Sequence, residues 1–271
     1  MWGTSVSRRA EPRRVGLWTY FWLYIALLYT PLIVLALFSL HDSELLSLPW
    51  RGFSLRWYRE MLHQAALLRS LRISIVVAAL ASTAAVILGG ALGIAVSRFR
   101  FPGRGLLLAL ALSPLVIPYL GLAVSLLMTF VALGLKPSIP TVVIGHSVVA
   151  MPYALLLVAT RLLGIDPELE EAALDLGAGW TSILGRLYVP LMGPALGTAF
   201  VTAFVLSFDE LYLAFFLSGS DQTLPVYFFS GLRHPEFLPP TLALTTLVTV
   251  IVVSATLASQ LVAMRRGAKA V

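Results

Sequence analysis

Two adjacent carboxylates, Asp209 and Glu210, stand inside a long apolar run, with Ser207 just before them and Tyr212 just after. A carboxylate at the centre of a membrane helix costs about 2.5–3.5 kcal/mol on insertion scales, so such residues face a cavity or a partner. Neighbouring positions on a helix point about 100° apart, given roughly 3.6 residues per turn. One of the pair can therefore line a path while the other packs against a neighbour. Two readings stand side by side. Asp209 or Glu210, flanked by Ser207 and Tyr212, attracts a cation; or the carboxylates are structural, bonded to a neighbouring hydroxyl or a partner chain. His146, alone on another apolar run, reads as a structural hydrogen-bonder.

A second concentration of chemistry is acidic. Five of the 13 Asp and Glu residues (Asp166, Glu168, Glu170, Glu171 and Asp175) fall between Asp166 and Gly177. Asp166 before Pro167 reads as an N-cap followed by a favoured first helical residue. The carboxylates that follow suit the positive end of a helix dipole. Leu169, Ala172, Ala173 and Leu176 recur at helical spacing and give one apolar face. Gly177 and Gly179 stop the helix, and Thr181 can cap a second short helix through Tyr188, before Pro190. The pattern predicts a helix–Gly–helix elbow. A helix lying on a membrane surface normally carries Lys or Arg on its polar face, whereas an anionic leaflet repels carboxylates. A protein partner fits this helix better than lipid.

Other chemistries lack their residues. There is no cysteine, hence no disulfide framework and no thiolate site. The four histidines, His41, His63, His146 and His234, sit at no ligand spacing. No G-x-x-x-x-G-K-[ST], H-E-x-x-H or G-x-S-x-G occurs, so neither a phosphate loop nor a hydrolytic nucleophile is in sight and the chain reads as no enzyme. The net charge of +6 reads as Arg-rich cytoplasmic loops rather than a nucleic-acid footprint.

The elements that position these groups are membrane helices. The chain has 59% hydrophobic and 12% charged residues, half the roughly 25% charged share of an ordinary soluble domain. Its apolar runs are about twice the roughly 10-residue segments of a barrel, and only helices and closed barrels satisfy the backbone in lipid. The fold class is an all-α polytopic membrane protein. Six spans are expected at about 15–40, 71–97, 105–133, 141–163, 190–217 and 241–264, a single transmembrane domain over 15–264 with tails at 1–14 and 265–271. Pro31, Pro114, Pro118 and Pro152 are tolerated kinks. The second span is rich in Ala, Gly and Ser, which lets helices approach closely. Trp50, Trp57 and Tyr58 read as interface anchors. Most of the 19 Lys and Arg fall on one side if both termini are cytoplasmic, so the positive-inside rule puts the acidic elbow in the cytoplasm too.

The elbow also resembles a known family. Glu171-Ala172-Ala173, then Gly177 after three residues, then Leu187-x-Val189-Pro190 after nine more, is similar to the EAA loop of permease subunits in binding-protein-dependent ABC importers. The family pattern is E-A-A, three residues, G, nine residues, I-x-L-P; Leu187 and Val189 are conservative departures. Trp50-x-Gly52-x-Ser54-x-x-Trp57-Tyr58, His146 with Pro152, Ser207-Phe208-Asp209-Glu210, Leu224-Pro225 and Pro239-Pro240 resemble its polyamine-type branch.

The resemblance implies a type I (MetI-like) permease fold with six transmembrane helices in a bacterial inner membrane, and a coupling helix within 165–189 docked on a cytoplasmic ATPase. The coupling residues would be Glu170, Glu171, Ala172, Ala173, Gly177, Leu187 and Pro190. The partners would be a second permease in a heterodimer, two ATPase subunits that bind the ATP, and an extracytoplasmic solute-binding protein. This chain itself would hold no cofactor. The cargo would be a polyamine or related small polar solute, with opines, aminobutyrate, phosphonates and ferric iron as alternatives. The rival class is an ion-coupled secondary transporter using Asp209 and Glu210, which would usually show more spans and internal repeats.

Overall fold

The computed structural model describes residues 11–44, 47–233 and 237–267, with side chains from residue 16 to 254 within those ranges. Of the expected tails at 1–14 and 265–271, residues 1–10 and 268–271 lie outside the described residues, as do His234 and Glu236. The chain divides into two units, one formed by residues up to Gln64 together with those from Gly231 onward, the other by Ala65–Ser230.

The first unit holds α1 (Glu11–Phe38), α2 (Arg56–His63) and α12 (Leu238–Gly267), and α12 packs against both α1 and α2. Between α1 and α2 the chain folds back on itself. Phe53 bridges to His41, and the Trp57 indole donates to the His41 carbonyl at 2.7 Å. Trp57 is buried, and the Tyr58 hydroxyl pairs with Ser39 at 2.7 Å. These two aromatics therefore hold the segment together from inside. Buried indole N–H and phenol O–H groups usually find a hydrogen-bond partner, as these two do within the chain.

The second unit is built on α3 (Ala65–Arg98), α6 (Ile139–Leu163) and α9 (Val189–Phe208), which pack on one another. Small residues permit the approach. Ala85, Ala150 and Ala203 meet where the three helices cross. A Cβ on Gly89 would lie 2.6 Å from the Met151 carbonyl oxygen, and one on Gly93 would lie 3.1 Å from that of Leu155. Ser138 and Thr141 form a capping box at the start of α6, and Pro152 is accommodated within that helix.

The expected span over 105–133 is divided in two. α4 (Arg104–Leu112) runs into a 3-10 turn at Ser113–Leu115, and α5 (Tyr119–Ala132) leaves at 111° to it. The reason is local. Pro114 opens the turn, and Pro118 disfavours helical geometry at Ile117 and lacks an N–H of its own. The kinks expected from these prolines amount to a break. α5 then packs with α10 (Tyr212–Leu217) around Leu122, Ala123, Phe130, Leu213, Ala214 and Leu217.

The fifth expected span differs at both ends. Its first turns are continuous with the elbow: α8 (Trp180–Ser182), a π-helix (Ile183–Tyr188) and α9 follow without a stop, so the second elbow helix is the foot of the span itself. At the other end α9 stops at Phe208, and Asp209–Leu211 separate it from α10. Among the described residues four helices are long and apolar enough to cross a bilayer, five if the bent α4–α5 pair is one span. The described apolar stretch of α12, Leu238–Ser254, is shorter, so the count of six expected from the sequence is not reached on these criteria.

Candidate functional site

The elbow begins where α6 ends. The Asp166 carboxylate accepts from the Glu168 N–H at 3.0 Å, and Pro167 occupies the cap position of α7 (Glu168–Asp175). Asp166 thus satisfies an orphan donor of the first turn from one residue further upstream than expected. At the far end the Gly177 N–H reaches the Leu174 carbonyl at 2.8 Å, and the Ala178 N–H reaches that of Ala173 at 3.0 Å. This pair of bonds is a Schellman closure, which needs a residue in the left-handed region. Gly177 supplies it with φ +80°.

The closure sorts the seven proposed coupling residues into two groups. Ala173 and Leu187 pack, with Ala178, on a buried cluster of Val158, Leu162, Ile165, Ile183, Tyr188 and Met192. Glu170 also points inward. Its carboxylate accepts from the Tyr188 hydroxyl and lies 3.7 Å from Arg98 Nε. Glu171, Ala172, Gly177 and Pro190 are exposed. So are Leu169, Leu174 and Leu176, the last 89% accessible. The outward face is therefore apolar with carboxylates beside it. It omits Ala173, which the sequence had grouped with Ala172.

The second candidate site lies where two broken helices approach. A cavity of about 280 Å³ is lined by Tyr119 at the start of α5, Val149 of α6, Val205 and Leu206 of α9, and Asp209 to Tyr212 at the α9–α10 break. The structure treats the two carboxylates differently. Glu210 is buried and accepts from the N–H groups of Tyr212 at 3.0 Å, Leu213 at 2.7 Å and Ala214 at 3.1 Å. It is the cap of α10, a charge placed at the positive end of a helix. His146 links the same groups, with Nδ1 2.8 Å from the Ser207 hydroxyl and Nε2 3.5 Å from Glu210. Ser207 is thereby committed to His146. Asp209 and Tyr212 are exposed on the cavity, and no hydrogen bond or ion pair reaches the Asp209 carboxylate among the described residues.

Sequence reasoning missed Arg98 and Tyr188 beside the elbow. Neither has a local signal, because in the sequence Arg98 is one of three closely spaced arginines with Arg100 and Arg104, and Tyr188 looks like one more aromatic beside an apolar run. Their partners lie 64 to 67 residues and 18 residues away. Among the described residues no three His, Asp or Glu side chains gather as metal ligands would.

A profile of the binding-protein-dependent transport system inner membrane component family matches residues 85–267, which include both sites. The chain belongs to this family. Within it, the chain is 35% identical over 220 residues to the putrescine transport system permease protein PotI of Escherichia coli K12, covering 77% of this chain and 78% of that one. It is 33% identical over 242 residues to the spermidine/putrescine transport system permease protein PotC of Haemophilus influenzae, covering 88% and 92%.

Solved permeases share the fold at lower identity. A chain of a bacterial ABC transporter involved in the import of the acidic polysaccharide alginate superposes with a TM-score of 0.72 at 16% identity, over 95% of this chain and 99% of that one. The MetNI methionine ABC transporter, inward-facing, gives 0.58 at 18% identity over 72% and 94%. The MetI-like permease architecture expected from the elbow is thus the fold of this family member, a transmembrane permease subunit of an ABC importer.

Proposed function

We propose that this permease subunit lines a translocation path with a second permease and is driven by a cytoplasmic ATPase that docks on α7. The observation that carries the reading is the outward face of the elbow. Leu169, Ala172 and Leu176 are exposed beside Glu171 on a helix that the Schellman turn at Gly177 holds in place. An apolar face rimmed by carboxylates suits a groove on a protein better than an anionic leaflet. ATP binds to the partner ATPase subunits, of which there are two, and an extracytoplasmic binding protein delivers the cargo. Both termini and the 165–189 loop are cytoplasmic, as the Lys and Arg distribution favours.

The test is uptake into proteoliposomes holding the reconstituted complex. Uptake should require ATP and the ATPase subunit, and Glu171→Lys or Gly177→Asp should abolish it or release the ATPase while the chain stays in the membrane. Uptake by this chain alone under an ion gradient would establish the rival secondary-transporter mechanism instead.

The cargo we propose is a polyamine. Two observations support it: the relatives named for putrescine and spermidine at 33–35% identity, and the unpaired Asp209 in a cavity with Tyr119 and Tyr212. A carboxylate with aromatic neighbours suits an alkylammonium group, by charge and by cation–π attraction.

A further inference from the structure

We infer that Arg98, Glu170 and Tyr188 form a latch that carries movement of α7 into the ends of α3, α6 and α9. This rests on the reading of α7 as the docking helix and assigns its inner face a separate task. The latch residues are positioning residues and do not touch the ATPase.

Four pieces of chain meet at one guanidinium. Arg98 is the last residue of α3. Its Nη2 donates to the carbonyls of Leu162, at the end of α6, and Ile165, just beyond it, at 3.2 and 3.0 Å. Leu162 lies in the last turn of α6, where carbonyls lack their i+4 partners, and its oxygen also accepts from the Ile165 N–H at 3.1 Å. The same guanidinium lies 3.7 Å from the Glu170 carboxylate in the first turn of α7 and 5.6 Å from the centre of the Tyr188 ring. The Tyr188 hydroxyl, in the π-helix at the foot of α9, donates to the same Glu170 oxygen.

The burial decides how this cluster should be valued. An exposed ion pair contributes about 0–1 kcal/mol and is easily dispensed with. Here the Arg98 and Glu170 side chains are only 12% and 16% exposed, and Tyr188 is buried. A shielded charge left without its partner is costly, so the three groups are held to one arrangement. Among the described residues, Glu170 makes every side-chain hydrogen bond and ion pair that joins α7 to another helix. The remaining attachment is the apolar contact of Ala173 and Ala178 with the cluster under the elbow. Apolar contacts resist separation but not sliding, because they are non-directional. The directional Tyr188 hydrogen bond to Glu170, together with the shielded Arg98–Glu170 charge pair, is what turns a shift of α7 into a shift of three helix ends together.

The test uses the reconstituted importer with Glu170→Gln and Tyr188→Phe, measuring solute uptake and ATP hydrolysis side by side. Glu170→Gln keeps an acceptor for Tyr188 and removes the attraction to Arg98. Tyr188→Phe removes one oxygen and keeps the ring in the core. In both variants the ATPase should still co-purify, and uptake per ATP hydrolysed should fall about 5-fold, an ordinary size for a lost coupling contact. Arg98→Lys, which keeps the charge but loses the planar guanidinium that spans the two carbonyls and the carboxylate, should fall as far. Wild-type uptake per ATP in Glu170→Gln and Tyr188→Phe would overturn the latch. So would loss of the ATPase from either, because it would place Glu170 or Tyr188 in the docking surface. Absence of ATP-driven uptake by the wild type would refute the underlying docking reading, whatever the variants do.

Discussion

Gly177 and the pair Asp209–Glu210 show how differently neighbouring residues can be constrained. A Cβ on Gly177 would meet nothing within 4 Å, yet its φ of +80° is one that L-residues adopt only at a cost of about 1–2 kcal/mol. Gly177→Ala should therefore loosen the end of α7 by conformation alone. The expected outcome is reduced uptake with intact membrane insertion, read by transport assay and expression level. Asp209 and Glu210 should separate cleanly. Asp209→Asn should raise the KM for putrescine about tenfold, the scale of a lost hydrogen bond to a charge, with the thermal midpoint unchanged. Glu210→Gln should lower the thermal midpoint of the purified protein, because the cap of α10 loses its charge. A wild-type KM in Asp209→Asn would return that carboxylate to a structural role.

At the scale of elements, the glycines of α3 make a sharper prediction than its apolarity does. Gly89→Ala would push a methyl group to 2.6 Å from the Met151 carbonyl and 2.9 Å from Ala154 Cβ, neither of which is a flexible side-chain end. The cost should be about 1–3 kcal/mol, as for other overpacked sites. Gly90→Ala meets only Leu196 at 3.7 Å and should be tolerated. Thermal stability in detergent compares the two, and equal midpoints would contradict the packing of α3 on α6. Helix existence was legible for these elements, because long apolar runs leave lipid no other solution. The breaks were only half legible. Pro114 and Pro118 marked the first, but two prolines bend a helix by an amount that its neighbours choose. The break at Asp209–Leu211 carried no proline or glycine, and the signal present was Glu210 itself, three residues before the Leu213 N–H that it caps.

For the whole molecule, the absence of cysteine makes topology directly measurable. A single cysteine at Asp175 should stay unlabelled by an impermeant thiol reagent in intact cells and react once they are permeabilised. One at Ser220 should react from outside. The reverse pattern would invert the proposed orientation and remove α7 from reach of a cytoplasmic ATPase.

Composition by itself determined that this chain lives in a bilayer as helices, and the spacing from Glu171 through Gly177 to Pro190 was enough to indicate its family. Both are local properties: hydrophobic length is counted along the chain, and the elbow's turn depends on residues within one helix and its stop. Tertiary structure alone decided which face of α7 is free, that Glu170 turns inward while Glu171 does not, and that Glu210 caps a helix while Asp209 finds no hydrogen bond or ion pair among the described residues. Those outcomes depend on partners such as Arg98, 72 positions before Glu170, brought near only when the ends of α3 and α6 pack together. Adjacent carboxylates are chemically equivalent in a sequence. They become different only when one of them finds buried N–H groups or a guanidinium within reach and the other finds open space.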